Sequence, residues 1–147
     1  MSISTTVKNQ LMDFIQGLDA VQETFGHVEL NPKGFPAVYV QPDNMQGAFI
    51  DNADNSRIYS FRISCVFPLG QDFVKDGTQN RFEYAEETIA TVLDEIINAV
   101  DTNFQLEGNP VLYVNAANFQ WGEADLEIGT CKAAEISLRI YTEYRVR

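Results

Sequence analysis

Histidine, cysteine and positive charge are all scarce in this chain. One His, two Cys and 10 Lys plus Arg stand against 21 Asp plus Glu in 147 residues, for a formal charge of -11. Phosphate backbones are held by clustered Lys and Arg that displace counterions, and the shortage argues against tight nucleic-acid binding. A negative surface repels such a polymer, which is useful where it must pass without sticking; otherwise the charge simply keeps a protein soluble. Cys65 and Cys131 are too few for a disulfide framework and too far apart for a CxxC metal site. Cys65 falls on the apolar side of a strand pattern, where a buried free thiol is expected. A Ser-His-Asp or Cys-His device would have to use His27, which follows Gly26 in an irregular segment and reads as a loop histidine. Zinc has only three His and Cys candidates, all distant in sequence. No GxxxxGK[ST] or GxGxxG loop occurs. No run approaches the roughly 20 apolar residues that span a bilayer. Residues 1–8 lack a basic region followed by an apolar run, so a cytoplasmic location is expected.

What is present suffices for a packed protein. The apolar fraction is 45%, an ordinary value, and a single domain over residues 1–147 is expected. Ile3, Val7, Leu11, Phe14 and Leu18 recur at helical spacing, with Ser4 or Thr5 as a cap. Residues 19–30 fit neither period. Asn31-Pro32-Lys33-Gly34 is a turn before a short strand, Phe35 to Val40, and Pro36 suits a strand start. A polar loop, 42–56, carries Asp43, Asp51 and Asp54. From Arg57 to Phe67, Tyr59, Phe61, Ile63, Cys65 and Phe67 alternate against Ser60, Arg62 and Ser64. The strongest helix runs from about Asn80 to Phe104. Its Ala85, Ile89, Val92, Leu93, Ile96, Ile97 and Val100 lie within an arc of about 140°. A strand from Val111 to Trp121 follows, then a link, Gly122 to Gly129. The closing run, Glu135 to Val146, puts Ile136, Leu138, Ile140, Tyr144 and Val146 on one side, and Glu135, Ser137, Arg139, Glu143 and Arg145 on the other. The short link predicts an antiparallel hairpin. This order predicts an α+β fold, a largely antiparallel sheet packed against an N-terminal helix and one long amphipathic helix.

Other chemical devices fail the same test of required residues. Glu86-Glu87 and Asp94-Glu95 read as a solvated helix face rather than an acid/base pair. Asp51-Asn52-Ala53-Asp54-Asn55 approaches a calcium loop but lacks its spacing and terminal Glu. Tyr59, Phe61, Phe67, Tyr113, Phe119 and Trp121 could stack bases, yet without a basic groove they read as core or subunit-contact residues. No enzyme activity, metal or cofactor is expected.

The arrangement resembles the tail terminator (tail completion) proteins of long-tailed bacteriophages. The resemblance spans nearly the whole chain and is one of pattern and order. It rests on the helix Val7 to Leu18, the strand Phe35-Pro36-Ala37-Val38-Tyr39-Val40 and the strand Arg57-Ile58-Tyr59-Ser60-Phe61-Arg62-Ile63. It continues through the helix containing Ala90-Thr91-Val92-Leu93-Asp94-Glu95-Ile96-Ile97 to the strand ending Tyr141-Thr142-Glu143-Tyr144-Arg145-Val146. It implies a virion protein, assembled in the host cytoplasm, that forms a homo-oligomeric ring, usually a hexamer, at the head-proximal end of the tail. The ring would cap the tail tube protein, end tube growth and meet head-tail connector proteins, while DNA passes through without specific binding. No active-site residue is implied. Loop 42–56 with Asp43, Asp51 and Asp54 is the candidate lumen or neighbour contact. Arg57, Arg62, Arg139, Glu143 and Arg145 are candidates for the patch pair that closes a ring. Alternatives are a head-completion or connector protein, and a small ligand-binding module with an apolar pocket between the long helix and the sheet.

Overall fold

The computed structural model describes residues 3–42, 55–70, 80–103, 111–116 and 120–144. Two helices and six strands follow one another as α1 (Ile3–Gln16), β1 (Glu23–Phe25), β2 (Ala37–Pro42), β3 (Asn55–Pro68), α2 (Arg81–Asn103), β4 (Val111–Ala116), β5 (Gln120–Leu126) and β6 (Gly129–Tyr144). The strands form one sheet in the order β1-β2-β3-β6-β4, with β5 also paired to β6. Every pairing is antiparallel except β1 with β2. The expected α+β fold is therefore present.

The elements start and stop for local reasons. Gly17 ends α1, its N–H still donating to Asp13 and Phe14 carbonyls at 3.3 and 3.2 Å. Asn80 caps α2: its Oδ1 accepts the N–H of Phe82 at 2.8 Å and of Glu83 at 3.4 Å, satisfying donors that the first turn leaves orphaned. Glu83 then meets the positive end of the helix dipole.

Both helices lie on the same side of the sheet. Val7, Leu11 and Ile15 of α1 and Ala85, Ile89, Val92, Leu93, Ile96 and Val100 of α2 form one core. Across from them stand Val38 and Val40 of β2, Phe61, Ile63, Cys65 and Phe67 of β3, and Ala134, Ile136 and Leu138 of β6. We call this the inner face. The long pairing of β3 with β6, from Asn55↔Tyr144 to Pro68↔Cys131, holds it in register.

The outer face carries a second, smaller core at one end, made of Ala37, Tyr39, Val66, Leu126 and Cys131, with Phe25 and Phe35 against it. The segment after β1 covers this end. The Tyr39 hydroxyl donates to the Glu29 carbonyl at 2.6 Å, and the Glu127 N–H to the Leu30 carbonyl at 2.9 Å. Residues 19–30, which fit neither period, thus form a short parallel strand and the start of a cover.

The stretch expected as one strand, Val111 to Trp121, is two. Ala116 pairs with Leu138 and Gln120 with Glu135, so four steps on one side match three on the other. A second register shift falls between Val111 and Tyr113. Such shifts break the simple alternation that a single strand would show. The expected link 122–129 is mostly strand as well: β5 runs to Leu126, and β6 begins at Gly129 instead of Glu135. Only Glu127 and Ile128 turn the corner. Gly129 has φ +126°, a value L side chains reach only with strain.

Two substitutions test this account by urea denaturation. Leu138→Ala, which opens a hole under α2, should cost about 2–5 kcal/mol. Gly129→Ala should cost about 1–2 kcal/mol through backbone strain alone, since open space surrounds its missing Cβ. An unchanged midpoint for either would contradict the corresponding packing or turn.

Candidate functional site

Strand alternation sends Ser60, Arg62 and Ser64 of β3 to the outer face, beside Glu135, Ser137 and Arg139 of β6. Arg62 pairs with Ser137, Ser64 with Glu135, and Ser60 with Arg139. The polar sides of the two long strands are therefore one continuous surface over these residues. Arg62 and Arg139 are exposed. The Arg62 Nε lies 3.9 Å from a Glu135 carboxylate oxygen, with both side chains substantially solvated, so this contact orients more than it stabilises. Both described helices pack on the inner face; on the outer side Ser60 is buried, whereas Ser64 and Ser137 are half-buried.

Of the other residues singled out from sequence, Asp43, Asp51, Asp54 and Arg145 lie outside the described residues. Arg57 and Glu143 sit in the ladder, opposite Thr142 and Ser56, where only their backbone is described. Arg62 and Arg139 are the two that the structure brings together with their side chains in view.

Towards β5 the surface dips. Gly122 and Ala133 pair across the strands, and a shallow open trough of about 240 Å³ runs past them between Ser64, Gln120 and Glu135. Trp121 at its margin is 43% exposed, so it is not a core residue. Its ring holds the Lys132 ammonium 5.6 Å from the centroid. Lys132 in turn lies 3.5 Å from Glu86 on α2, tying the edge strand to the helix.

His27 meets a carboxylate and an aromatic edge. Its Nε2 is 3.2 Å from Glu29, with the imidazole 70% exposed, and Phe25 stands 5.9 Å away. The other Glu29 oxygen accepts the Asn31 N–H at 3.2 Å, so the pair braces the cover segment. Among the described residues no group of three or more His, Cys, Asp or Glu could hold a metal.

Among the described residues, the side chains that meet between the long helix and the sheet are almost fully buried. An open hollow of about 550 Å³ instead lies beside β1, lined by Gln16, Glu23, Thr24, Phe25, Glu29, Asn31 and Lys33. Within it Thr24 Oγ1 is buried without a hydrogen-bond partner.

Both thiols are buried and unpaired. Burial pushes the Cys65 pKa up strongly. It pushes Cys131 up to about 11, with Asp125 adding to the shift. Tyr39 is pushed up to about 12, first by burial and then by nearby negative charge. Sequence reasoning found Cys65 from its parity. It missed the setting of Cys131, because that face is apolar only at one end.

Neither a family model nor a curated protein matches the sequence. Among solved structures, a chain of the virion of a native gene transfer agent (GTA) particle is similar, with 16% identity, 97% of this chain and 96% of that chain covered, and a TM-score of 0.51. At this identity the likeness is one of fold. A second solved chain is 18% identical over 99% of this chain and 96% of its own, but its TM-score of 0.44 carries no argument.

The buried groups set an alkaline limit. Folding raises the Cys131 and Tyr39 pKa values from 9.0 to about 11 and from 10.0 to about 12. Their contribution to stability is whole below pH 9.0 and is lost as pH climbs through the folded values. The urea midpoint should fall over that window. Both thiols should resist maleimide at neutral pH until the chain unfolds, whereas prompt labelling would contradict their burial.

Proposed function

We propose that this chain is a non-catalytic structural protein of a phage-type particle, acting at the head-proximal end of the tail as its terminator. Identical copies form a ring, a hexamer in this reading. The ring caps the tail tube protein, ends its elongation and offers its other side to head-tail connector proteins. The observation that carries the proposal is the two-way match of fold along nearly the full length of a chain from a gene transfer agent virion. A fold by itself hosts many functions, so the surface must speak as well. The outer sheet face is broad, polar and shallow, a shape that suits docking better than enclosure of a small molecule. The formal charge of -11 suits a ring through which DNA slides, because carboxylates repel phosphate.

Within the same class, a head-completion or connector ring shares every one of these features and differs only in its neighbours. A ligand-binding module is favoured by a different observation, the hollow beside β1 with its unpartnered Thr24 hydroxyl. That hollow is wide open to solvent, a shape that encloses little of a small ligand.

Electron microscopy and light scattering of the purified protein, with and without tail tubes, test the proposal. Rings, or rings induced by the tubes, are expected, and His27→Ala should form them equally well. A solitary subunit indifferent to the tubes would remove the ring reading.

A further inference from the structure

A ring closed by one repeated contact needs two different patches on each chain. The outer sheet face supplies only one. We propose that its mate is the solvent stripe of α2, so that the Arg62 and Arg139 region of one copy docks on Glu83, Glu87 and Asp94 of the next. This rests on the ring reading above and assigns its contact.

The stripe lies opposite the buried side of the helix. At 100° per residue, Glu83, Glu87, Thr91 and Asp94 fall within about 80° of arc, centred roughly half a turn from Ile89 and Ile96. All four are exposed. Residues 82–131 contain no Lys or Arg, so nothing on the helix beyond Arg81 offsets these carboxylates. Lys132 of β6 lies 3.5 Å from Glu86 and over the Trp121 ring, on the flank facing β5. The stripe and the outer sheet face thus look in opposite directions from the inner core, one acidic and the other bearing Arg62 and Arg139.

The spacings agree. Arg62 and Arg139 are diagonal neighbours across the β3–β6 pair, about 7–8 Å apart. Glu83 and Glu87 are one turn apart, about 6 Å along the axis. A second helix laid on the sheet would complete a third layer that the described fold lacks. Two copies each carrying -11 repel at a distance, so a contact must bring local opposite charge together. Such complementarity selects partner and register more than it adds affinity. Glu135 beside Arg62 is an acid within the basic face, and the small, partly exposed Ser64 and Ser137 around it let a helix approach closely.

The test is an exchange of sign between two variant chains, followed by sedimentation velocity and electron microscopy. One chain carries Arg62→Glu and Arg139→Glu, the other Glu87→Lys and Asp94→Lys. Each alone should need at least tenfold more protein to assemble than the wild type. Mixed in equal amounts, they should regain rings of alternating composition, because both contacts then join opposite signs. If either double variant melts below the wild type, the single changes Arg139→Glu and Asp94→Lys carry the same exchange. Variants that assemble like the wild type, or a mixture of folded chains that fails to recover, would overturn the proposal while wild-type rings keep the ring reading. Face variants that still form rings but no longer attach to tails would also overturn it, in favour of docking by a tube or connector protein. A wild-type chain that never assembles, alone or on tails, removes both.

Discussion

The register between β3 and β6 is the constraint from which the rest of the molecule follows. The two longest strands pair antiparallel along the whole of β3, and each alternates apolar with polar side chains. A slip of one residue would turn Ile136 and Leu138 to the outer face and bring Arg139 and Glu135 under α2. Burying those charges unpaired would cost far more than any strand contact returns. One pairing therefore decides where the helices sit, which side chains reach water, and which residues stand beside one another on the free face. The other strands extend this frame to either side: β1 and β2 beyond β3, β4 and β5 beyond β6.

The two faces are finished differently. The inner face is covered by both helices and is apolar along its length. The outer face has its described apolar core where residues 26–36 fold across it, held by the Tyr39–Glu29 and Glu127–Leu30 hydrogen bonds. Beyond that cover the described side chains of β3 and β6 on this face are polar, with Arg62 and Arg139 exposed and Ser60 buried. The strand β5 is exposed from Gln120 to Glu123, and Lys132 beside it reaches both the Trp121 ring and Glu86 of α2. Exposed strands of this kind are natural places for another chain to pair.

Much of the frame is legible in the sequence, because period two and period 3.6 are strong signals over ten or more residues. Both helices, β3 and the later half of β6 show this. The parity of Phe61, Ile63 and Cys65 against Ser60, Arg62 and Ser64 assigns their faces directly. Other elements are hidden for physical reasons. β1 has three residues, too few to display a period. β4 and β5 are separated by an extra residue that shifts parity midway. The first part of β6 reads as linker because Thr130 and Lys132 interrupt the apolar pattern, and because its apolar Cys131 and Ala133 belong to the outer core. The candidate surface was half legible. Its side chains were identifiable, but nothing in a linear pattern tells that Arg62 and Arg139 are neighbours on one surface, since only the pairing of distant strands makes them so.

The order of the strands carries a further implication for how the molecule comes into being. The sheet's central strand, β6, is made after every other described element. While the ribosome works through α2, β4 and β5, β3 has only β2 beside it, and the inner core lacks Ala134, Ile136 and Leu138. The long-range pairings that complete the fold must wait until that final strand emerges, seconds after β3 at ordinary rates of synthesis. Until then the outer face is unfinished and the apolar residues of β3 and α2 lack the strand that completes their cover, so the nascent chain is most exposed to misassembly just before its last strand emerges.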